Sequence, residues 1–394
     1  MTGFSALLPM HPHTTLPIRQ KSTKRIASAL TTPLTLRDTE PSATRHPPTG
    51  ASREKDGGAE AAEVNRRLEM FYRNSMTRTL CGALALAASL SLTTLSTPAG
   101  AQESTDPIKL TLHDWTGQLI TTQLMGEILK KAGYSVEYVQ ADYLAQFAGL
   151  ETGDLHVAME MWETTGREAM DAATATGKVE NFGPTGMKAK EEWWYPAYMT
   201  EKCPGLPNWE ALKDEKCAEA FSTAETAPKG RYLGGPVTWG GFDDERVEAL
   251  ELPFEVIHAG TDAALFAELE SAYQRQAPIM LWIYAPHWAP AKYKGEWVEF
   301  PEYTKECYSD PAWGSNTNAQ YDCGKPFGEI WKVGWAGVKD KWPGAYDAIK
   351  AFTIDNDEMG AMITKVDLDG KKIEEVVAEW MGANEARWSG WIKK

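Results

Sequence analysis

The stretch MEMWETT, residues 159–165, puts a carboxylate and an indole two residues apart, Glu160 and Trp162, at the end of an apolar run. On a strand, alternation points both side chains to one face. Further aromatic residues stand in comparable places: Trp115 in DWTGQ, Trp239 in GGPVTWGG, and Trp282 with Tyr284 in LWIYAPHW. Aromatic faces attract desolvated cations, and boxes of them suit quaternary ammonium groups, which have no N–H to hydrogen-bond. At about 0.5–2 kcal/mol per face, three or four faces supply about 2–8 kcal/mol. A micromolar site needs about 8 kcal/mol, so a further contact is required, and Glu160 is the candidate.

Catalytic patterns offer less. HExxH, GxSxG, P-loop and GxGxxG arrangements do not occur, and residues 102–394 hold four histidines, His113, His156, His258 and His287. No catalytic residue is assigned. A periplasmic enzyme using Glu160 or a histidine as base is one alternative. A receptor for another solute such as a sugar is a second, but sugars need many convergent polar groups and these strand ends have few.

The elements that must position these residues follow from periodicity. Ile108, Leu110 and Leu112 alternate with polar residues as a strand; Ile120, Leu124, Ile128 and Leu129 recur at helical spacing, with Gly133 placed to end the helix. SVEYV reads as the next strand, so this is a strand–helix–strand unit with a parallel sheet. A second helix stopped by Gly153, the strand DLHVAMEMW, and a capping box of Thr165 with Glu168 continue the pattern. Trp115 and Trp162 thus follow strand C-termini, the rim where open parallel sheets bind ligands. A later region contains a helix with Leu265, Leu269 and Tyr273 on one face and the strand PIMLWIYAPHW. No internal sequence repeat is evident.

From Met76 the chain reads as a secretory signal: basic Arg78, an apolar run from Leu80 to Leu95, and small residues at Ala99, Gly100 and Ala101, with cleavage expected after Ala101. Residues 1–75, rich in Thr, Pro, Ser and Arg, resemble a disordered or non-native extension, and translation from Met70 or Met76 is expected. Of 40 basic and 55 acidic side chains, 12 and 7 fall in residues 1–101, which leaves 28 against 48 and a net charge of −20 for residues 102–394. That acidity, without a basic cluster, argues against nucleic acid as a partner. Cys81 falls inside the signal. Cys203, Cys217, Cys307 and Cys323 remain, and two disulfides are expected, the local pairs 203–217 and 307–323 being the simplest of three connectivities. All 16 tryptophans lie in residues 102–394.

The segments DWTGQLITTQLMGEILKKAGY, FAGLETGDLHVAMEMWETT, GGPVTWGG, PIMLWIYAPHW and VVAEWMGANEARWSGWI, in this order, resemble the periplasmic glycine betaine and proline betaine binding proteins of ABC importers over residues 106–394. That family also includes trimethylamine N-oxide and choline binders. The resemblance implies an α/β fold of the type II periplasmic binding protein kind: two lobes, each a mixed, mainly parallel sheet flanked by helices, with the ligand in the cleft. Residues 102–199 with 301–394 would form one lobe and 200–300 the other. It implies a monomeric, non-enzymatic solute receptor in the periplasm, delivering a small trimethylammonium compound to an inner-membrane ABC permease. Trp162 matches the cage tryptophan after the first-lobe strand, Trp239 the one in the glycine-rich loop, and Tyr284 the cage position two residues before the proline of APHW. Trp282 shares the face of Tyr284, and Trp115 matches an aromatic that some branches use. Trp194 and Trp288 are further candidates, hinge packing being an equal account of Trp194.

Glu160 departs from many glycine betaine binders, because an ionised Glu would repel the ligand's carboxylate. Choline suits an ionised Glu160, and trimethylamine N-oxide suits a protonated one. No cofactor or metal is assigned. KVDLDGKK has Lys365 at the first position of a calcium loop, which breaks that pattern, and a surface Ca²⁺ near Asp355, Asp357, Asp367 or Asp369 is the residual option.

Overall fold

A computed structural model describes residues 103–314 and 316–392. The expected extension 1–75 and signal 76–101, with Met70, Met76 and Cys81, lie outside the described residues. Strand β1 (Ile108–Leu112), helix α1 (Thr116–Lys131) and strand β2 (Val136–Gln140) form the first parallel unit, with Ile108 beside Val136. Helix α1 forms because Ile120, Leu124, Met125, Ile128 and Leu129 make one buried stripe against the sheet. Helix α2 (Gln146–Thr152) stops at Gly153, whose φ of 77° lies in the left-handed region. Strand β3 (Val157–Trp162) then returns beside β1, and every one of its residues is buried.

Helix α3 (Glu163–Ala175) starts directly from the strand, with Trp162 at its N-cap position and no side-chain cap. Thr165 and Glu168 therefore lie inside the helix and form no capping box. Strand β4 (Val179–Pro196) follows as one long ribbon. Beyond it come β5 (Pro204–Pro207), α4 (Glu215–Phe221), β6 (Gly230–Gly234), α5 (Asp243–Ala249), β7 (Phe254–His258), α6 (Asp262–Arg275), β8 (Leu281–Ala285), α7 (Ala289–Lys292), β9 (Gly295–Trp297) and α8 (Lys305–Ser309). The chain ends with β10 (Gly328–Trp335), α9 (Val338–Lys341), α10 (Pro343–Ala351), α11 (Asn356–Asp367), α12 (Ile373–Ala383) and α13 (Glu385–Trp388).

The strand order is β2-β1-β3-β10-β4-β8-β6-β7, with β9 also on β4. Residues 179–189 of β4 pair antiparallel with β10, whereas residues 190–194 pair antiparallel with β8. Two sheets thus share one strand, and they divide between Ala189 and Lys190, ahead of the expected lobe boundary at 199/200. Each sheet carries the same parallel core, 2-1-3 on one side and 7-6-8 on the other. In both, the chain reverses winding at the central strand, which opens a crevice at the strand C-termini. This fold is that of a type II periplasmic binding protein, with helices flanking a mixed sheet in each half.

Both expected disulfides are present, Cys203–Cys217 and Cys307–Cys323, with Cα separations of 4.6 and 6.3 Å. Loops of this length contribute about 3 kcal/mol each in the chain-entropy account. Among the described residues no helix is long and apolar enough to cross a membrane.

A buried ion network fastens β4 to the second sheet. The Arg246 guanidinium donates from Nη1 to Glu192 Oε1 at 2.6 Å and from Nε to the Cys323 carbonyl at 3.0 Å. Lys325 donates its backbone N–H to Glu192 Oε2 at 2.8 Å and its ammonium to Asp243 Oδ1 at 3.2 Å, and Trp193 Nε1 donates to the same Asp243 oxygen at 2.8 Å. Residues 301–325, expected in the first lobe, are thereby tied to α5. Removing one partner from such a network leaves a buried charge uncompensated. Arg246→Met is expected to lower stability by about 3–5 kcal/mol, measured by urea unfolding, and a loss under about 1 kcal/mol contradicts the network's role.

Candidate functional site

The crevice closes on a cavity lined by Trp115, Tyr143, Trp162, Thr165, Glu191, Trp239 and Tyr284. The space between these side chains, including its opening to solvent, is about 270 Å³. Trp115 follows β1, Trp162 ends β3, Trp239 follows β6, and Tyr284 lies near the end of β8. Each parallel core therefore supplies two rings from its own switch point. The rings meet nearly edge to face: Trp115 with Trp239 at 5.5 Å and 75°, Trp162 with Tyr284 at 5.5 Å and 85°, and Trp115 with Tyr143 at 5.6 Å and 79°. Such perpendicular contacts build walls instead of stacks.

The polar edges of the rings are all committed. Trp115 Nε1 and Trp162 Nε1 both donate to Glu160 Oε2, at 2.9 and 3.1 Å. Trp239 Nε1 donates to Asp114 Oδ1 at 2.9 Å, and the Tyr284 hydroxyl to Asp262 Oδ1 at 2.7 Å. The Tyr143 hydroxyl accepts from the Trp162 N–H at 2.9 Å and donates to the Trp162 carbonyl at 3.1 Å. With N–H and O–H groups turned outward, the rings leave their apolar, electron-rich faces to the cavity. Gly241 gives the loop after Trp239 its path: its φ is 125°, and a Cβ there would stand 2.1 Å from the Trp282 ring.

Beside the committed tyrosine hydroxyls, the lining holds the Glu191 carboxyl and the Thr165 hydroxyl and, among the described residues, no Lys or Arg. Burial pushes the Glu191 carboxyl up to about 7, against the opposing hydrogen bond from the Thr164 hydroxyl. Burial also lifts Asp262, to about 8, and raises Glu160. His113, stacked on Trp115 at 4.8 Å, is pushed down by burial.

Of the residues singled out in the sequence, Trp115, Trp162, Trp239 and Tyr284 line the cavity. Glu160 stands behind two of the rings, where it takes their N–H groups. Trp282 is fully buried beneath Gly241, with the Lys325 ammonium 4.3 Å from its ring centre. Trp194 is packed within the second sheet, paired with Leu281 and Trp297. Trp288 donates to Asp367 Oδ2 at 2.8 Å, and Thr116 donates to Asp367 Oδ1 at 2.7 Å, so this carboxylate joins α1 to the segment after β8. Tyr143 and Glu191 were not singled out by the sequence, and Thr165 only as a helix cap. Glu191 reaches the cavity because β4 sets it opposite Tyr284 of β8, a register no local pattern announces. Asp355 caps α11 with Glu358. Among the described residues no group of three or more His, Cys, Asp or Glu is arranged to hold a metal ion.

Residues 106–383 match the family described as the substrate binding domain of ABC-type glycine betaine transport systems. The chain is 30% identical over 300 residues to the trimethylamine N-oxide-binding protein of Pelagibacter ubique (strain HTCC1062), covering 75% of this chain and 93% of that one. Among solved structures, it is similar to lactococcal OpuAC closed on glycine betaine, with a TM-score of 0.55 at 18% identity over 73% of this chain and all of that one. It is also similar to an ABC-transporter choline binding protein in complex with choline, with a TM-score of 0.58 at 17% identity over 73% of this chain and 92% of that one.

A buried acid whose folded pKa is raised binds more protons folded than unfolded, so its contribution is full below the ordinary carboxyl range and disappears as pH rises through the folded value. For Asp262 that window runs from 3.8 to about 8. The melting temperature of the ligand-free protein is expected to fall between about pH 5 and pH 8.5, and Asp262→Asn to flatten part of that slope; equal slopes in the two proteins would remove Asp262 as the cause.

Proposed function

The chain belongs to the family of substrate-binding domains of ABC-type glycine betaine transport systems, and we propose that it captures trimethylamine N-oxide and releases it unchanged to an ABC permease. The observation that carries this reading is a cavity walled by three tryptophans and two tyrosines that offers one carboxyl and one hydroxyl and no cationic side chain. The trimethylammonium group is held by ring faces, at about 0.5–2 kcal/mol each. The N-oxide oxygen, a strong acceptor without a proton of its own, accepts a hydrogen bond from the Glu191 carboxyl, which keeps its proton up to about pH 7. Glycine betaine would set its carboxylate beside Glu191 with no base to receive it. Choline, larger and a net cation, would prefer Glu191 ionised. The 30% identical relative named for the N-oxide supports the same choice.

The remaining roles follow from this reading. Residues 103–189 with 328–392 form one lobe and 190–325 the other, hinged at the shared strand β4 and the return into β10, so that closure buries the solute. The receptor acts as a monomer outside the cytoplasmic membrane, after loss of residues 76–101, and carries out no chemistry on its ligand.

Calorimetry on residues 102–394 with trimethylamine N-oxide, glycine betaine, choline, carnitine and a control sugar tests the assignment. The N-oxide is expected to bind most tightly. Trp162→Ala and Trp239→Ala are each expected to weaken it by about 3- to 30-fold, and unchanged affinity in both variants would refute the cage. Because Glu191 donates only while protonated, affinity is expected to fall as pH rises through about 7, and to stay level in Glu191→Gln. Tightest binding of choline, strengthening as pH rises, would replace the N-oxide with a cation.

A further inference from the structure

Glu160 is 1% exposed and lies behind the cavity wall. Its Oε2 accepts two indole N–H groups, and its Oε1 lies 2.6 Å from the Thr121 hydroxyl. That hydroxyl is also 2.8 Å from the carbonyl of Gly117, one turn earlier in α1. A hydroxyl has a single proton. When it is spent on the Gly117 carbonyl, the usual bond of a helical threonine, the short contact to Oε1 must be bridged by a proton on the carboxyl. Every group is then matched: indole N–H into the Oε2 carbonyl oxygen, Oε1–H into Thr121, and Thr121 into Gly117.

The surroundings supply no countercharge. Asp114 precedes α1, Asp367 ends α11, and Glu191 and Asp262 stand on the far side of the cavity, all acidic. His113 keeps Nδ1 on the Ala141 carbonyl. Lys332, on the neighbouring strand β10, gives its ammonium to the Lys350 and Phe352 carbonyls. Tyr143 and Tyr284, the other titratable neighbours, are held protonated by burial. Burying a carboxylate without a cation is unfavourable, and protonation removes that penalty.

We propose that Glu160 is a neutral carboxylic acid in the ligand-free protein, a positioning residue that fixes two cage indoles and, by withholding a negative charge, favours zwitterionic trimethylammonium solutes over net cations. The selectivity rests on the trimethylammonium reading; the protonation does not. Infrared difference spectra of ligand-free wild type and Glu160→Gln at about pH 7.5 test the proton directly. A carboxylic-acid C=O band present in the wild type and missing from the variant is expected, and no difference in that band overturns the proposal. In binding, Glu160→Ala is expected to weaken trimethylamine N-oxide at least about tenfold, with Glu160→Gln restoring it to within about threefold, because the amide keeps the carbonyl for the indoles and donates to Thr121. The choline to N-oxide affinity ratio in Glu160→Gln is expected to stay within about twofold of wild type. A tenfold relative loss of choline signals an ionised Glu160 and overturns the proposal. Should Glu160→Ala fail to fold, the infrared comparison and the ligand ratio in Glu160→Gln still decide. If neither solute binds the wild type, the functional reading falls while the infrared band still decides the protonation.

Discussion

An indole whose N–H is held by a carboxyl can turn only its face elsewhere, and the cavity depends on that constraint. Trp115, Trp162 and Trp239 each have their one donor occupied outside the cavity, and the Tyr284 hydroxyl points to Asp262. A free indole N–H in a small apolar space would seek a ligand acceptor or a water, and either would change what the site recognises. Anchored, the same rings become a wall of electron density with no donor to offer. The cost is a set of acidic groups in a dry place, and burial accordingly raises the pKa values of Glu160 and Asp262.

The bonds that anchor the rings also bring the two halves of the molecule together. Trp239 belongs to the second sheet and Asp114 to the first; Trp288 follows β8, whereas Asp367 and Thr116 belong to helices packed on the first sheet. Trp115 meets Trp239, and Trp162 meets Tyr284, across the same divide. No single half encloses the space. The ion network around Arg246 ties Glu192 of β4, helix α5 and the Cys323–Lys325 segment to one another.

Much of this was legible in the sequence, for a physical reason. Alternation and helical periodicity located the first parallel unit and strand β8, and in a parallel sheet the residues at strand ends meet at the crevice, so Trp115, Trp162 and Tyr284 could be found one element at a time. Trp239, by contrast, was picked out by the GGPVTWGG segment and its resemblance, its strand β6 going unread. Trp282 fits the same alternation but is screened by Gly241 and Lys325, contacts that come from other parts of the chain. Glu191 was invisible because its place depends on antiparallel pairing with β8. The capping box failed because Trp162 passes straight from strand to helix and leaves Thr165 facing the cavity.

Glu160 illustrates the limit most clearly. Its spacing from Trp162 puts both side chains on one face, and the sequence offers a ligand as the partner of a carboxyl beside an indole. The partner is instead the indole N–H, shared with Trp115 from the adjacent strand end. A carboxyl behind the rings shapes the site by fixing two of them, whereas Glu191 is part of the cavity surface itself. Two acids of the same type thus divide the work by position alone. The state of each proton sets how much negative charge stands at or behind the cavity wall.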